Sequence, residues 1–274
     1  MGTSMWDDII DELRVGPNEK LQLSKRATKL TFGLTKDEAL DQLGAVKARL
    51  DVLQQRLFAE SRRSVLLVVQ AMDAAGKDGT IRAVFSGLNP QGIPVTGFKA
   101  PGGREAQHDY LWRVHQACPE RGQIAVFNRS HYEDVLVVRV KKLVPQPVWR
   151  RRFQHIREFE QMLADEGTVI VKCFLHVSKR EQAAGLQDRL DDPEKMWKFR
   201  RGDLDDRALW SDYQRAYQDA LRQTSTKNAP WFVVPADSNS RRNLAVAQIL
   251  LQALERLDPQ IPPPEPGLQG VTVV

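Results

Sequence analysis

Residues 71–80 read AMDAAGKDGT. A run of small residues ending in Gly-Lys is the composition of a loop that wraps a phosphate group. Gly76 removes a Cβ where an anion must approach the backbone, and Lys77 places a positive charge beside it. The flanks supply the required setting. Residues 65–69 (VLLVV) read as a strand buried on both faces, and Ile81, Val84 and Phe85 recur at helical spacing. The first amides of that helix lack backbone acceptors and point toward any bound anion, favoured by the helix dipole. The candidate phosphate contacts are therefore Ala74, Ala75, Gly76, Asp78, Gly79 and Thr80, with Asp73 and Lys77 as catalytic candidates. The loop departs from GxxxxGK[ST] at Ala71 and Asp78. Asp73 is also unusual, because a carboxylate beside phosphates repels them unless a cation intervenes. That points to Mg²⁺, or Mn²⁺ in its place, at Asp73. The plainer alternative is a strand, a turn and a helix carrying a surface lysine.

A second cluster stands in FNRSHYED, residues 127–134. Arg129 offers a planar, permanently charged fork for phosphate oxygens, or else a salt bridge. Glu133 is a metal ligand or a base toward an acceptor phosphate, or else a solvated helix carboxylate. Asn128 adds a neutral polar contact, and His131 reads as a packing residue rather than a nucleophile. No Cys/His group has zinc-ligand spacing, and no Ser-His-Asp arrangement is evident. Lys99, Arg104, Arg113 and Arg139 fall near the same predicted edge, and Arg113 and Arg139 are embedded in apolar stretches. The segment 189–203, RLDDPEKMWKFRRGD, mixes aromatic and basic residues, among them Arg189 and Lys198. It reads as a lid that closes over phosphates, or as a solvated hairpin.

The elements that must position these groups follow from periodicity. Thr35 and Glu38 form a capping box before a helix that carries Leu40, Leu43, Val46, Leu50, Leu53 and Leu57 and ends near Glu60. Further strands are expected at 93–98, 124–127, 168–175 and 231–234. Helices are expected at 105–117, from Pro147 with Phe153, Ile156, Phe159 and Met162 on one face, at 209–221 and at 244–257. Five apolar strands separated by helices imply an α/β fold with a parallel sheet covered on both faces. The loops 73–77, 99–103, 128–133, 178–180 and 236–240 should then converge at the carboxyl edge. The expected organisation is an N-terminal arm over 1–34, its basic part solvated or lining a polyanion groove. One domain over 35–258 follows, with a lid at about 179–210, and then a proline-rich tail over 259–274.

Composition sets the outer bounds. The chain of 274 residues carries a net charge of +5, which suits a polyanionic partner without choosing among them. Two cysteines, Cys118 and Cys173, and no evident signal segment argue against a disulfide framework and for the cytoplasm. No apolar run approaches the ~20 residues of a membrane span.

Taken together, MDAAGKDGTIR, SGLNPQG, VTGFKAP, DYLWRVHQACPERGQI, FNRSHYEDVLVVRV and DPEKMWKF resemble the polyphosphate kinase 2 family over roughly residues 20–258. The resemblance implies a P-loop, thymidylate-kinase-like three-layer sandwich with a five-stranded parallel sheet and a helical lid. It implies Mg²⁺-dependent, reversible phosphate transfer between inorganic polyphosphate and nucleotides, in a homo-oligomer, with Asp73, Lys77 and Arg129 at the family's functional positions. Many members have Asp where this chain has Asn128, which leaves more of the metal work to Asp73 and Glu133. The form FNRSHYED is similar to the family's third class, which accepts AMP as well as ADP to make ATP. Glu133 occupies the place associated with that range, and guanine nucleotides are expected acceptors too. No nucleic acid or membrane partner is expected. Two other readings stay open: an ATP-dependent nucleotide kinase, and a nucleic-acid-binding protein whose loop senses nucleotide.

Overall fold

A strand with no polar alternation must be covered on both faces, and the run around residue 67 meets that condition. In the computed structural model, which describes residues 5–268 and 270–273, every residue of Ser64–Ala71 is buried. The strands are β1 (Arg14–Val15), β2 (Ser64–Ala71), β3 (Val95–Gly97), β4 (Ile124–Asn128), β5 (Thr168–His176) and β6 (Trp231–Pro235). They form one sheet in the order β1-β6-β5-β2-β4-β3. β2 is central, with Val65–Val69 paired to β4 on one side and Ser64–Ala71 to β5 on the other, all parallel. β3 joins β4 and β6 joins β5, again parallel.

The expected all-parallel, five-stranded sheet is thus corrected to a mixed, six-stranded one. β1 adds antiparallel to the outer edge of β6, pairing Arg14 with Phe232 and Val15 with Trp231. Two residues are too few to show a strand period. The same addition changes the N-terminal segment. Ile10, Leu13, Val15, Leu21 and Leu23 are buried in the main core. Thr28 donates to Asp237 Oδ2 at 2.9 Å. Lys25 and Lys29 remain exposed.

The helices are α1 (Met5–Leu13), α2 (Lys36–Glu60), α3 (Lys77–Phe85), α4 (Trp112–Gln116), α5 (Val137–Val140), α6 (Gln146–Asp165), α7 (Lys179–Asp191), α8 (Arg201–Ala208), α9 (Trp210–Thr224) and α10 (Asn239–Leu257). α2 and α3 pack with α10, which lies against β5 and β6, while α6 lies against β5 and pairs with α9. The capping box is present: Glu38 N donates to Thr35 Oγ1 and Thr35 N to Glu38 Oε2.

Three local expectations are corrected. Leu40 is 46% exposed and Ala39 takes the buried place one position earlier. Met162 is likewise 42% exposed, and Leu163 completes the apolar face of α6. Residues 105–117 are not one helix but a 3₁₀ turn at Glu105–Gln107 followed by α4. The Asp109 carboxylate accepts from Leu111 N at 2.9 Å, a local bond that competes with helix continuation. Among the described residues no helix is long and apolar enough to cross a membrane. The described part of 259–273 carries no helix or strand.

Candidate active site

The chain leaves β2 at Ala71, makes a loop through Gly76 and enters α3 at Lys77. Two residues of the loop take left-handed backbone, Ala74 at φ 61° and Gly76 at φ 89°. Such a conformation is strained for alanine, and strain of this kind gathers where a backbone is shaped for a ligand. Lys77 is only 9% exposed. Its side chain folds back over the loop, and Nζ donates to Ala71 O at 3.0 Å and Met72 O at 3.5 Å. Burial pushes the amine below its usual range, and the Asp73 carboxylate opposes that push. Asp78 and Gly79 are exposed in the first turn. Thr80 is buried beneath it, donating to Gly76 O and Asn243 Oδ1 at 3.1 Å each.

β4 brings the second cluster alongside. Asn128 pairs with Val69 across the sheet, and its Nδ2 donates to Asp78 Oδ1 at 2.7 Å. The next residue, Arg129, has φ 63°, and its amide still bonds Val69 O at 3.1 Å. That left-handed turn throws the guanidinium across the loop between β2 and α3. Nη2 donates to Asp73 Oδ1 at 2.7 Å, and Nη1 stands 3.8 Å from Glu133 Oε2. Asp73, Lys77, Arg129 and Glu133 therefore form one cluster of interacting charges beside the loop.

The charges there are unevenly balanced. Burial alone would raise the Asp73 carboxyl, but Lys77 and Arg129 outweigh it and hold the group below the ordinary range. Glu133 goes the other way: burial raises it more than Arg129 and Lys77 lower it. The Gln70 amide satisfies both its neighbours when its nitrogen faces Glu133 Oε1, at 3.2 Å, and its oxygen faces Ser130. Arg129 is held more firmly protonated: burial opposes its charge, but Glu133 and Asp73 win.

Lys99, Arg113 and Arg139 are drawn to other partners. Arg113 donates to Lys99 O at 2.7 Å and to Glu105 Oε2 at 3.1 Å, while its guanidinium lies 5.4 Å from the Phe98 ring centre. Lys99 itself is exposed. Arg139 pairs with Asp219 at 2.8 Å and stacks 4.4 Å from the Trp149 ring centre, in a hollow of about 780 Å³ between α5, α6 and α9. Its partners belong to those helices and not to the loop. Arg189 reaches Lys198 O and Asp203 at 3.5 and 3.4 Å at the carboxyl end of α7, and its charge still acts on Asp73, adding to Lys77 and Arg129 in holding that carboxyl down.

Several supporting residues had no motif to mark them. From α7, Gln182 Nε2 donates to Asp73 O at 3.2 Å. Gly185 lets the same helix close on the loop, where an added Cβ would stand 3.2 Å from Ala74 O. Below the second cluster lies a buried polar group. Lys172 Nζ donates to Glu160 Oε2 (2.6 Å), Thr224 O (2.8 Å) and Tyr132 Oη (2.9 Å). Burial would raise the Glu160 carboxyl, but Lys172 and His131 hold it below its usual range, while burial pushes the Lys172 amine down against the pull of Glu160. Tyr132 Oη donates to Glu160 and Thr224, which pins the 3₁₀ turn His131–Asp134 that presents Glu133. A signal existed in the sequence. Lys172 interrupts an otherwise apolar buried strand, and Glu160 shares the face of α6 with Ile156 and Leu163.

The donor set bears on a metal. Among the described residues no three Asp, Glu, His or Cys side chains gather as a cage. Mg²⁺ is ordinarily held by one or two carboxylates together with phosphates and water. Asp73 and Glu133, flanking Arg129, fit that smaller requirement.

The polyphosphate kinase 2 family model matches residues 33–262. An AMP/ADP-polyphosphate phosphotransferase of Meiothermus ruber is 55% identical over 262 residues, 95% of this chain and 98% of that one. An ADP-polyphosphate phosphotransferase of Rhodopseudomonas palustris is 46% identical, covering 93% of each. Among solved structures, polyphosphate kinase 2 from Arthrobacter aurescens TC1 superposes with a TM-score of 0.89 at 44% identity, over 93% of this chain and 92% of that one. The family model covers most of the chain and these relatives match it nearly end to end, and the chain belongs to the polyphosphate kinase 2 family.

Proposed function

We propose that this protein transfers phosphate between inorganic polyphosphate and AMP or ADP, reversibly, on a P-loop kinase-like scaffold. The observation that carries the reading is the placement of Arg129 between Asp73 and Glu133 against the phosphate loop. The names of the Meiothermus and Rhodopseudomonas relatives support the substrates, and the 55% identity with the AMP/ADP enzyme favours the broader acceptor range.

In the forward direction an oxygen of the acceptor's terminal phosphate attacks the terminal phosphorus of polyphosphate. A new anhydride bond forms on the nucleotide. The bond to the rest of the polymer breaks, and the shortened chain leaves with the electron pair. The acceptor oxygen is largely ionised near neutral pH, since a phosphate's second pKa is about 6. Catalysis then rests on positioning and charge neutralisation rather than on a nucleophilic side chain. The amides of Ala74–Thr80 and Lys77 grip one phosphate group. Arg129 spreads the charge of the transferred group once polyanion draws it from Asp73. Glu133 faces the acceptor. Mg²⁺, held by Asp73 and Glu133, would supply charge neutralisation between donor and acceptor oxygens. α7, α8 and the exposed Trp197 between them form the lid, already tied to the loop through Gln182.

Purified protein with Mg²⁺, polyphosphate and either AMP or ADP, assayed for ATP, tests the reading; GMP and GDP extend it to guanine nucleotides. ATP from ADP alone would keep the family and remove the AMP range, and no product from either would remove the function. Glu133→Asn should impair AMP use more than ADP use, and equal loss on both would refute its assignment to acceptor range.

A further inference from the structure

Beneath the phosphate loop lies a buried cation that the sheet-edge motifs do not include. Arg242, in the first turn of α10, is 4% exposed. Among the described residues its guanidinium meets only neutral acceptors: Thr80 Oγ1 (2.7 Å), Asn239 Oδ1 (2.8 Å), Ala75 O and Asn243 Oδ1 (3.2 Å each, the latter to Nη2), and Ala236 O (3.5 Å). Lys77 and Arg129, on the cleft side, both face Asp73. Among the described residues no carboxylate pairs directly with Arg242. Glu181 gives long-range relief, yet burial still pushes the group down to about 10. The guanidinium also explains Gly76 from behind, since a Cβ there would stand 2.6 Å from Cζ. A buried charge without a counter-charge is costly, and the nearest place for a counter-charge is the anion on the other face of the loop.

We propose that Arg242 is a positioning residue for the phosphate loop, whose unpaired charge is balanced by the polyanion bound across that loop. Anion binding and the charge at position 242 are then coupled. The proposal rests on the assignment of the loop as the phosphate site, and it adds a determinant that touches neither substrate nor metal.

The test uses the full chain and tripolyphosphate as probe, with binding followed by calorimetry and by the ligand-induced rise in the unfolding midpoint. Arg242→Gln, which removes the charge, should raise Kd at least ~10-fold, whereas Arg242→Lys, which keeps it, should stay within about threefold. Asn239→Asp keeps the arginine and sets a carboxylate on Nη1. It should fold, and it should shrink the tripolyphosphate-induced rise. If Arg242→Gln does not fold, Asn239→Asp decides by itself. A purely structural arginine predicts lower midpoints for Arg242→Gln and Arg242→Lys alike, with Kd unchanged. Binding within about twofold of wild type in Arg242→Gln or Asn239→Asp overturns the coupling while leaving the site intact. Absence of tripolyphosphate binding in the wild type overturns the coupling together with the site assignment.

Discussion

Replacing Arg129 by Met separates catalysis from stability, because methionine keeps the length of the side chain and the left-handed backbone while deleting the fork. The stability cost should be small. Arg129 and Asp73 are 38% and 23% exposed, and the second contact, to Glu133, is long at 3.8 Å. A partly exposed pair of this kind, with Lys77 still beside Asp73 after the substitution, contributes about 1 kcal/mol. In a chain of this size that is a midpoint shift of roughly 2–4 °C at most. The catalytic cost should be much larger. Arginines that neutralise a transferring phosphoryl group are worth about 10³–10⁵ in rate. Here two carboxylates already hold part of the charge, so the loss should fall below that range but still reach at least ~10², or ~2.7 kcal/mol of transition-state stabilisation. The assay is initial ATP formation from ADP at saturating polyphosphate and Mg²⁺, run beside a thermal melt. Arg129→Gly should lose the same activity with no loss of midpoint, since glycine accepts φ 63° without strain. A rate loss under about threefold would refute the charge-spreading role. A midpoint drop beyond ~6 °C with a matching fall in active fraction would make Arg129 structural instead.

Two further outcomes follow from the buried groups. Lys172→Met leaves the Glu160 carboxylate without its cation and should cost about 3–5 kcal/mol in a urea titration. Because Tyr132 loses a partner in the same step, activity should fall by more than the unfolded fraction explains; a loss under ~1 kcal/mol would show that the pair is dispensable. Glu133 has a folded-state pKa above its ordinary 4.5, so its favourable contribution is complete below that pH and is lost as pH rises through the folded value. The stability of Glu133→Gln relative to wild type should therefore increase between pH 4.5 and neutrality, although the variant is the poorer enzyme. A difference that stays flat across this range would contradict the burial that raises Glu133.

Much of the site was legible because it depends on short-range chemistry. Gly76 and Lys77 after an apolar strand, and Arg129 and Glu133 after another, announce themselves by residue type at strand ends. The capping box of α2 and the parallel core strands were readable for the same reason: each is a local period or a local bond. Other features were not, and the physical cause differs in each. β1 is two residues long and becomes a strand only because the edge of β6 offers unpaired backbone groups. The helix expected at 105–117 yields to a side-chain bond from Asp109. Arg139 was a candidate because it is embedded in an apolar stretch, but Asp219 and Trp149 claim it elsewhere. Amino-acid order by itself determined which segments form the parallel strands of the sheet, and that a glycine-lysine loop and a charged turn follow its central strands. Only the tertiary structure decided which charges meet. It set Arg129 between Asp73 and Glu133, buried Lys172 against Glu160, and slid Arg242 behind Gly76. Ion pairs between residues far apart in the chain follow from packing distance, which no sequence period encodes.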